Sequence, residues 1–318
     1  FYVILSIVIL AGVISLFTQG LQFGADFSGG RTYVVRFDKN VNTVDIRNAI
    51  TTAMDGENAE VKTFGPTNQV KITTKYLIDE VTEEADSTVT AQLFKAVKPY
   101  FSEDIDYEIF TSLTDEAKLL GLISTQKVGP TIADDIKRSA VLAVVIALII
   151  IFAYIAIRFK KWQLGLGGLV SLFHDSIIVV SVYSIFYSIT PFTLEIDQSF
   201  IAAILTIIGY SINDTVIIFD RIREFNFIHP KNEIKVNMNN AINSTLGRTI
   251  NTSGTTLITL IAMFIFGGEV IRGLVFALMV GIAVGTYSSM FTASSVAYDF
   301  MMLGKKRAEK RAEIAKKK

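Results

Sequence analysis

The stretch AVLAVVIALIIIFAYIAI, residues 140–157, contains eighteen consecutive residues without a charge and is followed directly by Arg158. A helix needs about 20 mostly apolar residues to cross the ~30 Å hydrocarbon core of a bilayer. This stretch therefore predicts a membrane-spanning helix and decides the fold class.

Five further segments have the same apolar character. The chain as a whole is 51% hydrophobic with a mean hydropathy of +0.46, which is typical of membrane proteins and not of soluble domains. We therefore predict a bundle of six transmembrane helices. The five further segments are residues 1–17, 164–189, 200–219, 250–266 and 273–298.

The chain begins inside the first apolar segment. Phe1 has no basic residues before it, and no small-residue cleavage site follows the run. We therefore expect residues 1–17 to be a first transmembrane helix truncated at its N-terminus, and not a signal peptide.

The charges are segregated along the chain although the formal net charge is zero. Residues 18–135 carry 19 acidic and 11 basic residues, whereas residues 305–318 carry eight basic and two acidic ones. Basic residues also follow the second and fourth spans, so the positive-inside rule places both ends of the chain in the cytoplasm. We predict an external domain at 18–136, a five-helix membrane bundle at 137–303 and a basic cytoplasmic tail at 304–318.

The external segment alternates between strand-like and helix-like patterns. Residues 31–37 (RTYVVRF) alternate apolar and polar side chains, which predicts a half-buried strand. The resulting order β-α-β-β-α-β is that of a small α+β, ferredoxin-like domain. Its predicted strands are 31–37, 60–64, 69–74 and 119–128, and its predicted helices are 43–54 and 88–101.

Two basic segments on the cytoplasmic side allow more than one interpretation. The polar, Asn-rich segment 221–245 is interpreted as a cytoplasmic interfacial helix, with an ordinary solvated loop as the alternative. The tail at 304–318 could contact anionic lipid, ribosomal RNA or a partner, but a basic run after a span is also a plain topology anchor.

Several classes of chemistry have no residues to support them. The chain has no cysteine, which excludes disulfides and thiolate metal sites. It contains no P-loop, H-E-x-x-H or G-x-S-x-G motif, and Gly165-x-Gly167-Gly168 lies in a predicted span where a dinucleotide fingerprint does not occur. We expect no enzyme activity, no cofactor and no metal.

Asp214 is an acidic residue inside the predicted fourth span, roughly 7 to 8 Å from its cytoplasmic end. An aspartate in hydrocarbon costs about 2.5 to 3.5 kcal/mol, so such a residue is a functional candidate by default. Arg248 lies at a similar depth next to the following span, and we expect the two side chains to meet. A carboxylate held between desolvation and a nearby arginine can exchange a proton, which predicts a relay. A static structural ion pair is the alternative.

His174 and Asp175 form a second polar pair, near the midplane of the predicted third span. They fit either participation in the relay or a local hydrogen-bonded cluster that fixes helix packing. Asn213 and Thr252 lie beside the first pair in sequence and are open to the same two interpretations.

Several motifs resemble those of the SecD/SecF family, on its SecF side. The match runs from the first span to the last, and the strings around Asp214 and Arg248 are highly specific. The matching stretches are Gly24-Ala25-Asp26-Phe27-Ser28-Gly29-Gly30, Val128-Gly129-Pro130, His174-Asp175, Gly209-Tyr210-Ser211-Ile212-Asn213-Asp214-Thr215, Asp220-Arg221-Ile222-Arg223-Glu224, and Arg248 through Thr256 (RTINTSGTT).

The resemblance implies an RND-superfamily bundle in the bacterial cytoplasmic (inner) membrane. It implies pairing with a six-span SecD half, separate or fused, and use of the proton motive force to assist late steps of protein export through the SecYEG channel. YajC, YidC, unfolded preprotein on the periplasmic side, protons and membrane lipid are the further implied partners, and nucleic acid is not among them.

The resemblance also carries roles to particular residues. It assigns the intramembrane Asp and Arg of the family to Asp214 and Arg248. It gives the motif after the first span a structural or coupling role and not a catalytic one. The residues of that motif are Gly24, Asp26, Phe27, Gly29 and Gly30.

Two other functions remain open. An RND-type exporter of small molecules or lipids would be expected to have a larger external domain and a second large external loop, whereas residues 190–199 form a short one. A passive assembly subunit would need no titrating acid in the membrane.

Overall fold

The chain is described in a computed structural model that covers residues 2–80, 82–112, 120–187, 189–190 and 192–316, with side chains described for 9–268 and 271–307 within those ranges. The first helix, α1, spans Tyr2–Thr18, and a short helix, α2, spans Ala25–Ser28. The sequence did not predict α2, which lies within the Gly24 to Gly30 motif.

The external domain follows the predicted order. Its elements are β1 (Gly30–Arg36), α3 (Thr43–Ala53), β2 (Ala59–Thr63), β3 (Gln69–Thr74), α4 (Glu83–Val97), α5 (Tyr107–Thr111) and β4 (Gly121–Val128). The strands form one antiparallel sheet in the order β2-β3-β1-β4. Side-chain caps start both main helices: Asn42 accepts from the backbone N–H of Val44, and Thr82 accepts from that of Ala85.

The core of this domain lies between the sheet and α3 with α4. Tyr33 and Val35 of β1 pack there against Ile50 of α3 and Leu93 of α4. The prediction that β1 is half-buried is wrong, because Thr32 and Val34 on its other face are also buried. On that face, Lys71 of the neighbouring strand β3 lies opposite Val34 in the sheet register and forms an ion pair with Glu195, which lies in the segment between two membrane helices.

The membrane region consists of long helices. They are α6 (Pro130–Phe159), α7 (Trp162–Phe186), α8 (Gln198–Ile228), α9 (Ile234–Phe266), α10 (Glu269–Ser288) and α11 (Ser294–Lys316), with a π-helical segment at Ser289–Ala293 joining the last two. Five stretches are long and apolar enough to cross a membrane, the last of them running continuously over Ile271–Arg307. Within the described side chains, α1 contributes the shorter apolar stretch Ile9–Thr18.

The polar segment 221–245 differs from its prediction. No separate interfacial helix forms between 221 and 245, because α8 continues to Ile228 and α9 already begins at Ile234. Pro230 disfavours helix at the residue before it and ends α8. The buried amide of Asn237 closes the hairpin by donating to Asn226 Oδ1 and to the carbonyl of His229.

The helices of the bundle are unequally covered by the rest of the chain. About half of the apolar stretch is buried in α7 (50%) and in α8 (44%), and α10 packs against both helices. Close approach is possible where glycine faces a neighbour, as at Gly281, where a Cβ atom would overlap Ile207. In contrast, α6 and α9 keep most of their side chains uncovered by this chain.

Candidate functional site

Asp214 lies on the buried face of α8, where only 3% of its surface is exposed. Ser253 of α9 faces it, with its Oγ 3.5 Å from Asp214 Oδ2. Thr286 of α10 donates to Ser253 Oγ at 2.6 Å. These two hydroxyls connect the carboxylate to both neighbouring helices.

Arg248 does not form the expected ion pair with Asp214. Its side chain is exposed on α9, although its charge is close enough to act on the carboxylate. Ser253 lies five positions after Arg248, which places the two residues roughly 140° apart around the helix axis. The prediction of direct contact is wrong because it matched the depth of the two residues without considering which face of α9 each one occupies.

One strip of the exposed surface of α9 is polar, although the helix also exposes apolar side chains such as Ile250 and Ile258. Its hydroxyls are satisfied locally, since Thr252 Oγ1 donates to the carbonyl of Arg248 at 3.0 Å and Thr259 Oγ1 donates to that of Thr255 at 3.1 Å. Asn213 of α8 is exposed as well. We call this the α9 polar stripe; its residues are Arg248, Asn251, Thr252, Thr255 and Thr259.

His174 and Asp175 lie in a separate buried cluster between α7, α8 and the π-helical segment. Asp175 has no exposed surface, its Oδ1 lies 2.9 Å from His174 Nδ1, and its Oδ2 accepts from Ser211 Oγ at 2.8 Å. Ser289 extends the cluster by accepting from Thr215 Oγ1 at 2.9 Å and donating to the carbonyl of Ser211. The sequence analysis missed the roles of these hydroxyls, which recur on the same face of α8 at 211 and 215.

The glycine motif after α1 joins the external domain to the membrane helices. Asp26 Oδ2 accepts from the backbone N–H of Gln198 at 3.1 Å, and its Oδ1 accepts from Gln126 of β4 at 3.0 Å. Phe27 is buried among the membrane helices. Gly29 and Gly30 have φ angles of 67° and 148°, which side chains rarely adopt, so the turn into β1 requires glycine.

The short loop between α7 and α8 provides a second junction. Gly24 N–H donates to the carbonyl of Ile196, and Ile196 N–H donates to that of Gln22. Glu195 is buried and pairs with Lys71 at 2.6 Å and with Lys62 at 3.5 Å. A glutamate in this short external loop was the available sequence signal for an anchor of this kind.

Asp197 caps α8 at the same junction. Its Oδ1 accepts from the N–H of Phe200 at 2.8 Å. Burial raises the pKa of Asp197 above its usual range, the nearby carboxylates of Asp26 and Glu195 add to this, and Lys71 opposes it.

Within the part of the chain that the structure describes, no three His, Asp or Glu side chains are grouped as metal ligands.

Comparison with known proteins places these features in a family. Residues 108–303 match the family profile "Protein export membrane protein SecD/SecF, C-terminal", and residues 14–41 match "SecD/SecF GG Motif". The chain is 42% identical over 296 residues to the protein translocase subunit SecF of Rhodothermus marinus, covering 93% of this chain and 88% of the relative. It is 36% identical over 289 residues to SecF of Vibrio alginolyticus, covering 91% and 83%.

A solved structure shares the fold. The chain superposes on SecDF of Thermus thermophilus, described as a translocon-associated membrane protein, with a TM-score of 0.76 and 29% identity. The match covers 94% of this chain but 37% of that SecDF chain. The sequence motifs, the fold and these matches agree, and the chain belongs to the SecF family of protein translocase subunits.

Proposed function

We propose that this chain is the SecF-like half of a SecDF-type complex that couples the proton motive force to late steps of preprotein export. In this proposal α1 is the first of six spans of an RND-type bundle, and the ferredoxin-like domain is periplasmic. The strand order β2-β3-β1-β4 supports that domain assignment. The basic residues after the second, fourth and sixth spans support cytoplasmic chain ends.

The proposal rests on one observation. Asp214 is buried in the bundle, whereas Arg248, whose charge acts on it, is exposed on the surface of the chain. Ionised side chains inside a membrane face a partner, a bundle interior or water, and not lipid. Arg248 and the α9 polar stripe therefore need a cover that this chain does not supply. The SecDF chain of Thermus thermophilus is more than twice as long as the matched region, which supports a SecD half as that cover.

The proton relay follows from the surroundings of Asp214. The protonated form is neutral and tolerates the apolar bundle, while the ionised form is favoured when a cation approaches. Movement of Arg248 relative to Asp214 would therefore bind and release a proton, shifting the population between two arrangements of the bundle. Each proton supplies about 2.3 kcal/mol per 100 mV of membrane potential.

Helix α8 offers a direct mechanical path to the external domain. Asp26 bonds the backbone of Gln198 in its first turn, and Asp214 lies sixteen residues further along the same helix, about 24 Å away. A shift of α8 at Asp214 would thus reach the motif that begins the domain. The external domain would then hold emerging preprotein as it moves.

The partners of the complex follow from the same assignment. They are the SecD half, whether separate or fused, the SecYEG channel, YajC and YidC, with unfolded preprotein on the periplasmic side. Protons are the coupling ion in this proposal, and lipid surrounds the faces that no partner covers.

The test is export of a model preprotein into vesicles that contain the chain and its SecD half. We expect Asp214→Asn to remove the stimulation by proton motive force, because the amide cannot exchange a proton, and Asp214→Glu to retain part of it. Asp104→Asn is the matched control, because that carboxylate is 82% exposed and pairs only with Lys98 in the external domain. Assembly with SecD is checked for every variant.

Unchanged stimulation in assembled Asp214→Asn complexes would contradict the relay. It would favour a passive assembly subunit, whose function needs no titrating acid in the membrane.

A further inference from the structure

The Asp175 cluster is enclosed by this chain on every side, unlike the surroundings of Asp214. Asp175 has no exposed surface, and His174 is 4% exposed. An isolated ionised carboxylate is strongly disfavoured in such a place, so buried acids are neutral or paired. The charge of Asp175 must therefore be neutralised by a proton or by a neighbouring cation.

His174 is the only described basic side chain that contacts Asp175. On α8 the nearest acid, Asp214, occupies a different part of the helix surface, bonded to Ser253 and not to this cluster. From α8, Asp175 accepts a bond from the Ser211 hydroxyl, which in turn lies 3.5 Å from Ser289 Oγ of the π-helical segment. The remaining described charges on the elements packed against α7 lie towards the helix ends: Asp134, Asp135, Lys137, Arg138 and Arg158 on α6, Asp220, Arg221, Arg223 and Glu224 on α8, Arg272 on α10, and Asp299, Lys305, Lys306 and Arg307 on α11.

Neutrality then requires a proton on the pair itself. Either Asp175 is protonated, or His174 is protonated and forms an ion pair with it; both arrangements keep one dissociable proton inside the bundle. His174 Nε2 is buried and has no hydrogen-bond partner among the described residues. When Nδ1 donates to Asp175, the lone pair of Nε2 is free to accept a proton.

We propose that His174 and Asp175 form a second proton-binding site, which exchanges protons with Asp214 across the seam between α8 and α10. The exchange step rests on the proposed function, whereas the presence of a bound proton does not. Ser211 and Asp214 are three residues apart on α8, so the two acid sites lie on adjacent parts of one helix.

Hydroxyl groups line the seam between the two acids. Asp175 is bonded to Ser211, and Ser289 contacts both Ser211 and Thr215. On the Asp214 side, Ser253 is bonded to Thr286, one helical turn before Ser289 on α10. Among the described residues, this row of hydroxyls is interrupted between Thr286 and Ser289, where α10 passes into the π-helical segment at Ser289–Ala293. Such segments are frequent at functional sites because their backbone bonding is irregular.

The bound proton is tested by infrared difference spectroscopy on the full chain in lipid, using two bands: the carbonyl band of a protonated carboxylic acid, which reports a proton on Asp175, and the ring band of a protonated imidazole, which reports a proton on His174. We expect Asp175→Asn to remove one such band and Asp214→Asn to leave that band in place. Ser211→Ala keeps the acid and is expected to shift its band, because one hydrogen-bond donor to Oδ2 is lost. Spectra of Asp175→Asn and Ser211→Ala that both match the parent overturn the proposal.

The exchange step is tested with the same variants in the export assay. We expect Asp175→Asn to reduce the stimulation by proton motive force at least several-fold and Ser211→Ala to shift its pH profile. A purely structural defect lowers the stimulation by the same factor at every pH, and that result overturns the exchange. Loss of stimulation in Asp175→Asn with none in Asp214→Asn instead contradicts the proposed role of Asp214 and leaves the second site standing.

Discussion

The external domain and the membrane bundle treat their charged residues differently. In the domain, buried Arg31 contacts Asp86, and Lys127 reaches the same carboxylate at 2.6 Å, so the charges are paired inside the chain. In the bundle, Arg248 points outward and forms none of the ion pairs found among the described residues. These charged side chains of the domain are thus paired within the chain, as Lys62 and Lys71 are with Glu195 across the junction, whereas Arg248 of the bundle has no such pair among the described residues.

Arg248→Leu is the strongest test of this difference. We expect it to reduce the stimulation of export by proton motive force more than tenfold, because it removes the only arginine beside Asp214 on α9. We expect the thermal stability of the isolated chain in detergent to change little, since the exposed arginine side chain makes no hydrogen bond or ion pair with any residue that the structure describes. Thr252→Val, at an exposed position one turn away whose hydroxyl bonds only to its own helix, is the matched control.

A large loss of stability in Arg248→Leu, with Thr252→Val unaffected, would break the comparison. It would mean that Arg248 already interacts with another part of the chain, so that its charge is balanced there as the charges of the domain are.

Arg31→Met tests whether the paired charges stabilise the external domain. Its expected effect is smaller than that of Arg248→Leu. The side chain also donates to the carbonyl of Leu77, and methionine fills its space without these bonds. Bonds between a charged donor and its acceptors are worth roughly 1.5 to 3 kcal/mol, and partial exposure of Asp86 argues for the lower part of that range. We therefore expect the domain to lose about 2 kcal/mol of stability, measured by amide hydrogen exchange in β1 and α4 of the full chain.

Lys98→Met is its control, because that lysine makes an exposed ion pair with Asp104. Equal protection in the two variants would show that the Arg31 pair contributes no more than a surface ion pair.

The sequence predicted periodic structure well and side-chain direction poorly. The β3 prediction at 69–74 is confirmed residue for residue, because the strand alternates cleanly and a Gly-Pro turn precedes it. Depth in the membrane identified Asp214 and Arg248 as residues at one level. It did not reveal that Ser253 and not Arg248 faces the carboxylate, because the facing side of a helix depends on which neighbours pack around it.

Junction contacts were also beyond the sequence. Asp26 was singled out by its motif, but its bond to the first turn of α8 joins residues that are 172 positions apart. Short helices such as α2 and α5 have too few residues for a periodic pattern, so only tertiary packing defines them.

Asp197→Asn tests the boundary between the two regions and has the smallest expected effect. Because the pKa of Asp197 is raised in the folded chain, its contribution to stability is fully present below the usual aspartate pKa and is lost as pH rises through the raised value. Asparagine caps helices equally well and does not titrate. We therefore expect protection of the first turn of α8 to match the parent in acid and to exceed it at neutral pH, as measured by hydrogen exchange.

The control is Asp45→Asn, at an exposed position on α3, which should keep the pH profile of the parent. If Asp197→Asn also keeps that profile, the effects of burial and of the Asp26 and Glu195 carboxylates on Asp197 are fully compensated by Lys71 and by the bond from Phe200. In that case the charges at the junction are balanced within the chain, as the paired charges of the domain are. If the profile flattens as expected, proton uptake from outside strengthens the contact between the domain and α8, the same helix that carries Asp214.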